Sequence, residues 1–233
     1  MATRQLLADI ASEWTRRGGC EVQIESVGGV EASLRVLSGE MFDFVVLAAD
    51  AVGKLVASGH AVAGSLSELA RSTVAIAGRR GSIHPIVVTE QALRDAVLGA
   101  RSVGYSTGPS GKAVQRIFVR WGIANEIRAR LVQAPPGIPV GELICRGEVE
   151  LGFQQLSELM HFNGVDVIGS MPPGLEIDTI FVGAVCSEAT RANSARAFLY
   201  FIRSTAAVEA FKRNGMAPVR PAAASDSASA GVG

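Results

Sequence analysis

Short apolar runs alternate with amphipathic segments along nearly the whole chain, and that alternation leaves few folds open. Residues 20–26 place Cys20, Val22, Ile24 and Ser26 on one side and Glu21, Gln23 and Glu25 on the other, the period of a half-buried strand. A helix follows from about Gly29, with Val30, Leu34 and Leu37 as its apolar face and Gly39 as its stop. The continuous apolar run Phe42–Ala48 then predicts a strand buried on both faces. The rhythm continues with helices predicted over 50–58, 89–98, 110–121 and 140–146. Strands alternate with them over 73–77, 102–105, 130–133, 150–153, 165–168 and 179–186. This is an α/β pattern with a mostly parallel sheet, and the lack of a fixed-period repeat excludes solenoids and propellers.

Both ends of the chain carry their own signals. Leu6, Leu7, Ile10, Ala11 and Trp14 recur at helical spacing, with Thr3 placed to cap and Gly18-Gly19 to stop a helix. A charged start, apolar run and cleavage site are not seen there, so no secretion signal is expected. Near the other end, Ala192–Arg203 turns Phe198, Phe201 and Ile202 inward, and a helix over 205–214 is stopped by Gly215 and Pro218. Residues 221–233 are Ala, Ser and Gly with one charge, which predicts a disordered tail.

The chain's 233 residues suffice for one large domain or two small ones. Its 22 Lys and Arg balance 22 Asp and Glu, so no basic field draws it to nucleic acid or anionic lipid. No apolar run reaches the ~18–20 residues of a membrane span. Cys20, Cys145 and Cys186 form no CxxC pair and are read as small apolar fillers, without disulfide or zinc.

Three turns before helices are rich in Gly and Ser: SVGG (26–29), STGPSGK (106–112) and GFQQLSE (152–158). Unpaired helix N–H groups at such turns meet anions. In the second, Gly108 and Gly111 admit a close backbone approach, Ser106, Thr107 and Ser110 offer hydroxyls, and Lys112 adds charge; the alternative is plain N-capping by Ser110. GPSGK lacks the P-loop spacing, no GxSxG elbow occurs, and His60, His84 and His161 are too scattered for a metal site. His84 reads as an exposed turn residue, while His161 follows the third turn closely enough to border a cleft. No cofactor is implied.

Taken together, residues 39–59, 69–81, 101–123, 147–159, 164–176 and 197–218 resemble the type II periplasmic-binding-protein superfamily, in its molybdate-binding-like extracellular solute-binding branch. The resemblance implies two α/β lobes, residues 1–78 with 179–220 and residues 79–178, joined by crossing strands near 73–78 and 178–186, with a ligand cleft between them. It implies anion contacts from Ser26, Gly28 and Gly29, from Ser106–Gly111, and from Gln154 and Gln155, with Arg4 and Lys112 as direct charges. Members of that branch carry a secretion signal and a first central strand before the helix at Thr3, neither of which is seen here. Loss of that strand would expose strand edges in lobe one and invite pairing with another chain.

The first functional expectation is a solute-binding protein that holds a small oxyanion or organic carboxylate for an ABC importer, periplasmic by resemblance. Taken as the whole product, a chain without a signal is expected in the cytoplasm. The alternative is an enzyme, since the branch also includes aconitate isomerases, which need an acid–base group; Glu25, Glu31, Glu158, His161 and Lys112 are the candidates. A third is the effector-sensing domain of LysR-type regulators, which share the fold.

Overall fold

The computed structural model describes residues 2–219, so the tail expected from residue 221 lies outside the described residues. The elements are α1 (Arg4–Arg16), α2 (Gly29–Leu37), β1 (Phe44–Ala48), α3 (Ala49–Ala57), β2 (Ser67–Arg79), α4 (Glu90–Gly99), β3 (Val103–Tyr105), α5 (Pro109–Arg120) and α6 (Ala124–Ile127). They continue with β4 (Leu131–Gln133), α7 (Val140–Arg146), β5 (Leu151–Gln155), α8 (Leu156–Leu159), β6 (Val165–Ser170), β7 (Asp178–Val185), α9 (Ala192–Ile202), α10 (Val208–Arg213) and β8 (Ala217–Pro218). Thr3 stands before α1 but its hydroxyl makes no capping bond. The helix is closed instead by Gly19 N–H on the Trp14 carbonyl at 3.0 Å, and a Cβ on Gly19 would lie 2.2 Å from the indole, so only glycine fits.

Strand β2 organises the molecule. Its residues Ser67–Thr73 pair antiparallel with β7, while Val74–Ala77 pair with β5 and Ala75–Arg79 with β6. The change of partner at Thr73 and Val74 joins two halves, β1-β7-β2 with β8 and β2-β5-β3-β4 with β6. The sheet is mixed, and its parallel pairs are confined to β5-β3-β4; long β2 and β7 run antiparallel, so parallel pairing is the lesser share.

Alternation along the strands divides each half into two apolar layers. In β2, Val74 and Ile76 join Leu93, Val114 and Phe118 on one side, whereas Ala75 and Ala77 meet Val140, Ile144 and Leu159 on the other. In β1, Phe44 and Val46 turn to the layer of α1 and α9, with Ile10 and Phe198, while Val45 and Leu47 turn to α2 and α3, with Val36 and Val52. Each fully buried aliphatic side chain of this kind contributes about 1.5–3 kcal/mol.

Four expectations are corrected. Residues 20–26 alternate in exposure as a strand would, but they pair with no described strand. The predicted inner face of α2 is exposed, with Val30 at 65% and Leu34 at 60%, and Val36 is the residue that packs. Phe42–Ala48 is not buried on both faces, because β1 is an edge strand and Phe44, Val46 and Ala48 stay half-buried. Cys20 is exposed rather than a filler, unlike buried Cys186.

Candidate functional site

Because β3, β4 and β5 run parallel, the turns after them, 106–108, 134–139 and 154–158, open at one end of the sheet. That end of a parallel sheet is where α/β folds place ligands. The first of these turns leads into α5. Gly108 takes the N-cap position, so Ser110 is not the cap; its buried hydroxyl lies 3.1 Å from that of Ser106. A Cβ on Gly111 would fall 1.8 Å from the Ser106 carbonyl oxygen, so glycine is what lets this turn fold tightly under the first helical N–H groups. Those N–H groups and the dipole of a twelve-residue helix favour an anion. Thr107 and Gly108 are half-buried beside them, and Lys112 is exposed with no ion pair among the described residues.

The other half supplies Arg4 and the 26–29 turn. The Arg4 Nη2 donates to the Ser26 carbonyl at 2.8 Å, tying the turn to the start of α1. A Cβ on Gly29 would stand 4.0 Å from Leu47, and one on Gly28 would stand 4.0 Å from the Gly137 nitrogen. The turn therefore lies beside the end of β1 and faces the 134–139 loop of the second half.

At the end of β5, Gln154 and Gln155 are buried. Gly141 N–H donates to Gln154 Oε1 at 3.3 Å, and Gln155 Nε2 donates to the Thr179 hydroxyl at 2.7 Å. Gln155 Oε1 is buried without a partner among the described residues. Two residues on, the Ser157 and Ser72 hydroxyls lie 3.3 Å apart beside the change of partner in β2.

Half-buried Glu158 has its carboxyl pushed above the usual range by burial, an effect opposed by a hydrogen bond to Gln154 and by the charge of Arg4. The charge of Arg4, in one half, thus acts on the Glu158 carboxyl of the other. Glu25 is exposed and held by Arg35 at 2.6 Å, and Glu31, His161 and Lys112 are exposed, whereas Glu158 is half-buried. His84 is half-buried rather than an exposed turn residue, and its Nε2 lies 3.2 Å from Asp166.

Sequence reasoning passed over the 134–139 loop and Thr179. The signal for the first was Pro135-Pro136-Gly137 directly after a short strand; Thr179, inside an apolar run, gave none. Two shallow hollows of about 300 and 250 Å³ lie elsewhere, at Ala189–Ser194 and beside Gly174–Ile177. Neither is lined by a residue of the three turns.

A family profile described as bacterial extracellular solute-binding protein matches residues 1–217. The chain belongs to that family. Aconitate isomerase from a Pseudomonas species is 32% identical over 219 residues, covering 91% of this chain and 83% of the relative. The periplasmic molybdate-binding protein of Azotobacter vinelandii superposes with a TM-score of 0.76 at 21% identity, over 94% of this chain and 96% of that one. The substrate-binding protein of an ABC transporter from Agrobacterium tumefaciens gives 0.71 at 14% identity, over 90% and 74%. The fold is therefore that of type II periplasmic binding proteins, and no helix among the described residues is long and apolar enough to cross a membrane.

Proposed function

We propose that this solute-binding protein holds a small organic polycarboxylate in a cleft between lobes 1–78 with 179–220 and 79–178, for delivery to an ABC importer in the periplasm. The observation that carries the reading is that the charge of Arg4, tied to the 26–29 turn, reaches Glu158 on the other half, whose ionisation burial disfavours. With burial disfavouring its carboxylate form, Glu158 competes less for the Arg4 guanidinium, whose remaining N–H groups can pair with a ligand carboxylate. The α5 amides with the Ser106 and Ser110 hydroxyls form a second anion site on a different element, which suits a ligand whose carboxylates are spaced apart. Gln154, Gln155, Ser26, Gly28, Gly29 and Thr107 are the further ligand contacts of this reading. Calorimetric titration with a tricarboxylate, a monocarboxylate and molybdate tests this: the tricarboxylate should bind most tightly, and molybdate binding with an inert tricarboxylate would overturn it.

One observation favours a second reading, an isomerase acting in the same cleft. Glu158 is the acid–base candidate that hydrogen-bonds Gln154 and feels the charge of Arg4, and the Pseudomonas relative bears the name aconitate isomerase. In its carboxylate form Glu158 would take a proton from a carbon next to a ligand carboxylate, and a raised pKa makes it a stronger base. The double bond shifts as the proton returns at the far end of the allylic system, while Arg4 and the α5 amides stabilise the developing charge. Glu158→Gln should then lower turnover by about 10²–10⁴ while binding persists.

A further inference from the structure

Helix α5 carries three cations and no acid: Lys112, Arg116 and Arg120 follow one another at four-residue spacing, so they share one face, and all three are exposed. Buried Val114, Ile117 and Phe118 on the opposite face seat the helix on its sheet and hold that stripe in place. The stripe works against the helix in two ways. Like charges one turn apart repel, and a cation near the helix N-terminus opposes a dipole that favours anions there. Among the described residues only Arg120 has an acid to relieve it, Glu90 of α4 at 3.2 Å, whereas Lys112 and Arg116 form no ion pair. Arg116 stands about 6 Å along the axis from Lys112. There Arg116, Ile117 and Arg120 wall the hollow of about 250 Å³ against residues 174–177. Those residues lead directly into β7, whose Thr179 hydroxyl holds Gln155 at 2.7 Å. The acid of the hollow, Glu176, accepts the Gly174 N–H at 2.8 Å and forms no ion pair among the described residues. Over the whole chain 22 cations balance 22 acids, so the positive field at α5 is a local one.

On the polycarboxylate reading given above, we propose that Lys112 and Arg116 form a capture track. Arg116 draws a polyanion from solution and passes it to Lys112 and the α5 amides, without touching the bound ligand. An arriving anion relieves both repulsions, which explains why no acid of the chain is placed to do so. Capture acts on the rate of arrival rather than on the bound state. Charges that focus a ligand on its site raise association rates by ~10–10³, and the gain falls steeply with ionic strength. Coulomb attraction grows with the product of the charges, so a trianion gains more from Arg116 than a monoanion does. The track thus selects for polyanions as they arrive, before any cleft contact is made.

Calorimetry gives the dissociation constant of a tricarboxylate, and the exchange broadening of its proton lines gives the dissociation rate; together they yield the association rate. At low salt Arg116→Glu should slow association about three- to tenfold, with the dissociation rate and the melting temperature nearly unchanged. The loss should be smaller for a monocarboxylate and should fade toward 1 M salt, where the Debye length is about 3 Å. Arg196→Glu on α9, an exposed cation of the other half with the same change in net charge, should leave association in place. Where the parent protein binds the tricarboxylate, an unchanged association rate in Arg116→Glu would overturn the track and leave the cleft reading standing. So would a loss of affinity carried by faster dissociation alone, which would make Arg116 a direct contact. A parent protein that binds no tricarboxylate would overturn the polycarboxylate reading and the track with it.

Discussion

Glu158 shows how one burial event can serve function at a cost in stability. Unfolded, a glutamate ionises near pH 4.3 (about); folded, Glu158 ionises at higher pH because desolvation outweighs Gln154 and Arg4. A group shifted upward contributes its stability in full below the unfolded value and loses it as pH rises through the folded one. Glu158→Gln should therefore match the parent protein near pH 4 (about) and exceed it at neutral pH, visible as diverging urea midpoints; parallel midpoints across that window would contradict the assigned shift. Lys112 is the opposite case, an exposed cation with no ion pair among the described residues. Lys112→Ala should leave the melting temperature nearly unchanged and abolish anion binding, and unaltered affinity would remove it from the site. Legibility at this scale followed local chemistry. The close backbone approach at Gly111 could be read from spacing alone, whereas spacing left Ser110 as a possible cap, a place Gly108 takes, and gave no link between Arg4 and Glu158.

The helices and strands were legible wherever period and punctuation agreed. Thr89 is an example: its hydroxyl accepts the Ala92 N–H at 3.1 Å as the N-cap of α4. Thr89→Ala should cost about 1 kcal/mol, measured by denaturant unfolding, with ligand binding untouched. Strand β2 was only half legible, because Ser67–Ser72 reads as polar while its partner strand β7 is what holds it extended. The errors at 20–26 and on α2 share a physical origin. Period alone was read in each case, but residues 20–26 pair with no described strand and Val30 and Leu34 meet no packing partner that would bury them.

For the whole molecule, the two halves meet where β2 changes partners, and the buried contacts Ser72 to Ser157 and Gln155 to Thr179 sit at that junction. The 26–29 turn of one half faces the 134–139 loop of the other, so a ligand in the proposed cleft would touch both halves. Alternation in the sequence carried the two-layered α/β architecture, whereas the cleft is what the resemblance implies and the proposed function uses. Sequence spacing could not choose between a bound solute and a reacting one, because both need the same anion-binding turns. The direct measurement is a proton NMR spectrum of trans-aconitate with the purified protein, beside the Arg4→Ala variant, followed over hours. The account predicts broadened ligand lines with the parent protein and sharp lines with the variant, and new vinyl signals if Glu158 transfers a proton. Lines left unperturbed by the parent protein would contradict the polycarboxylate cleft.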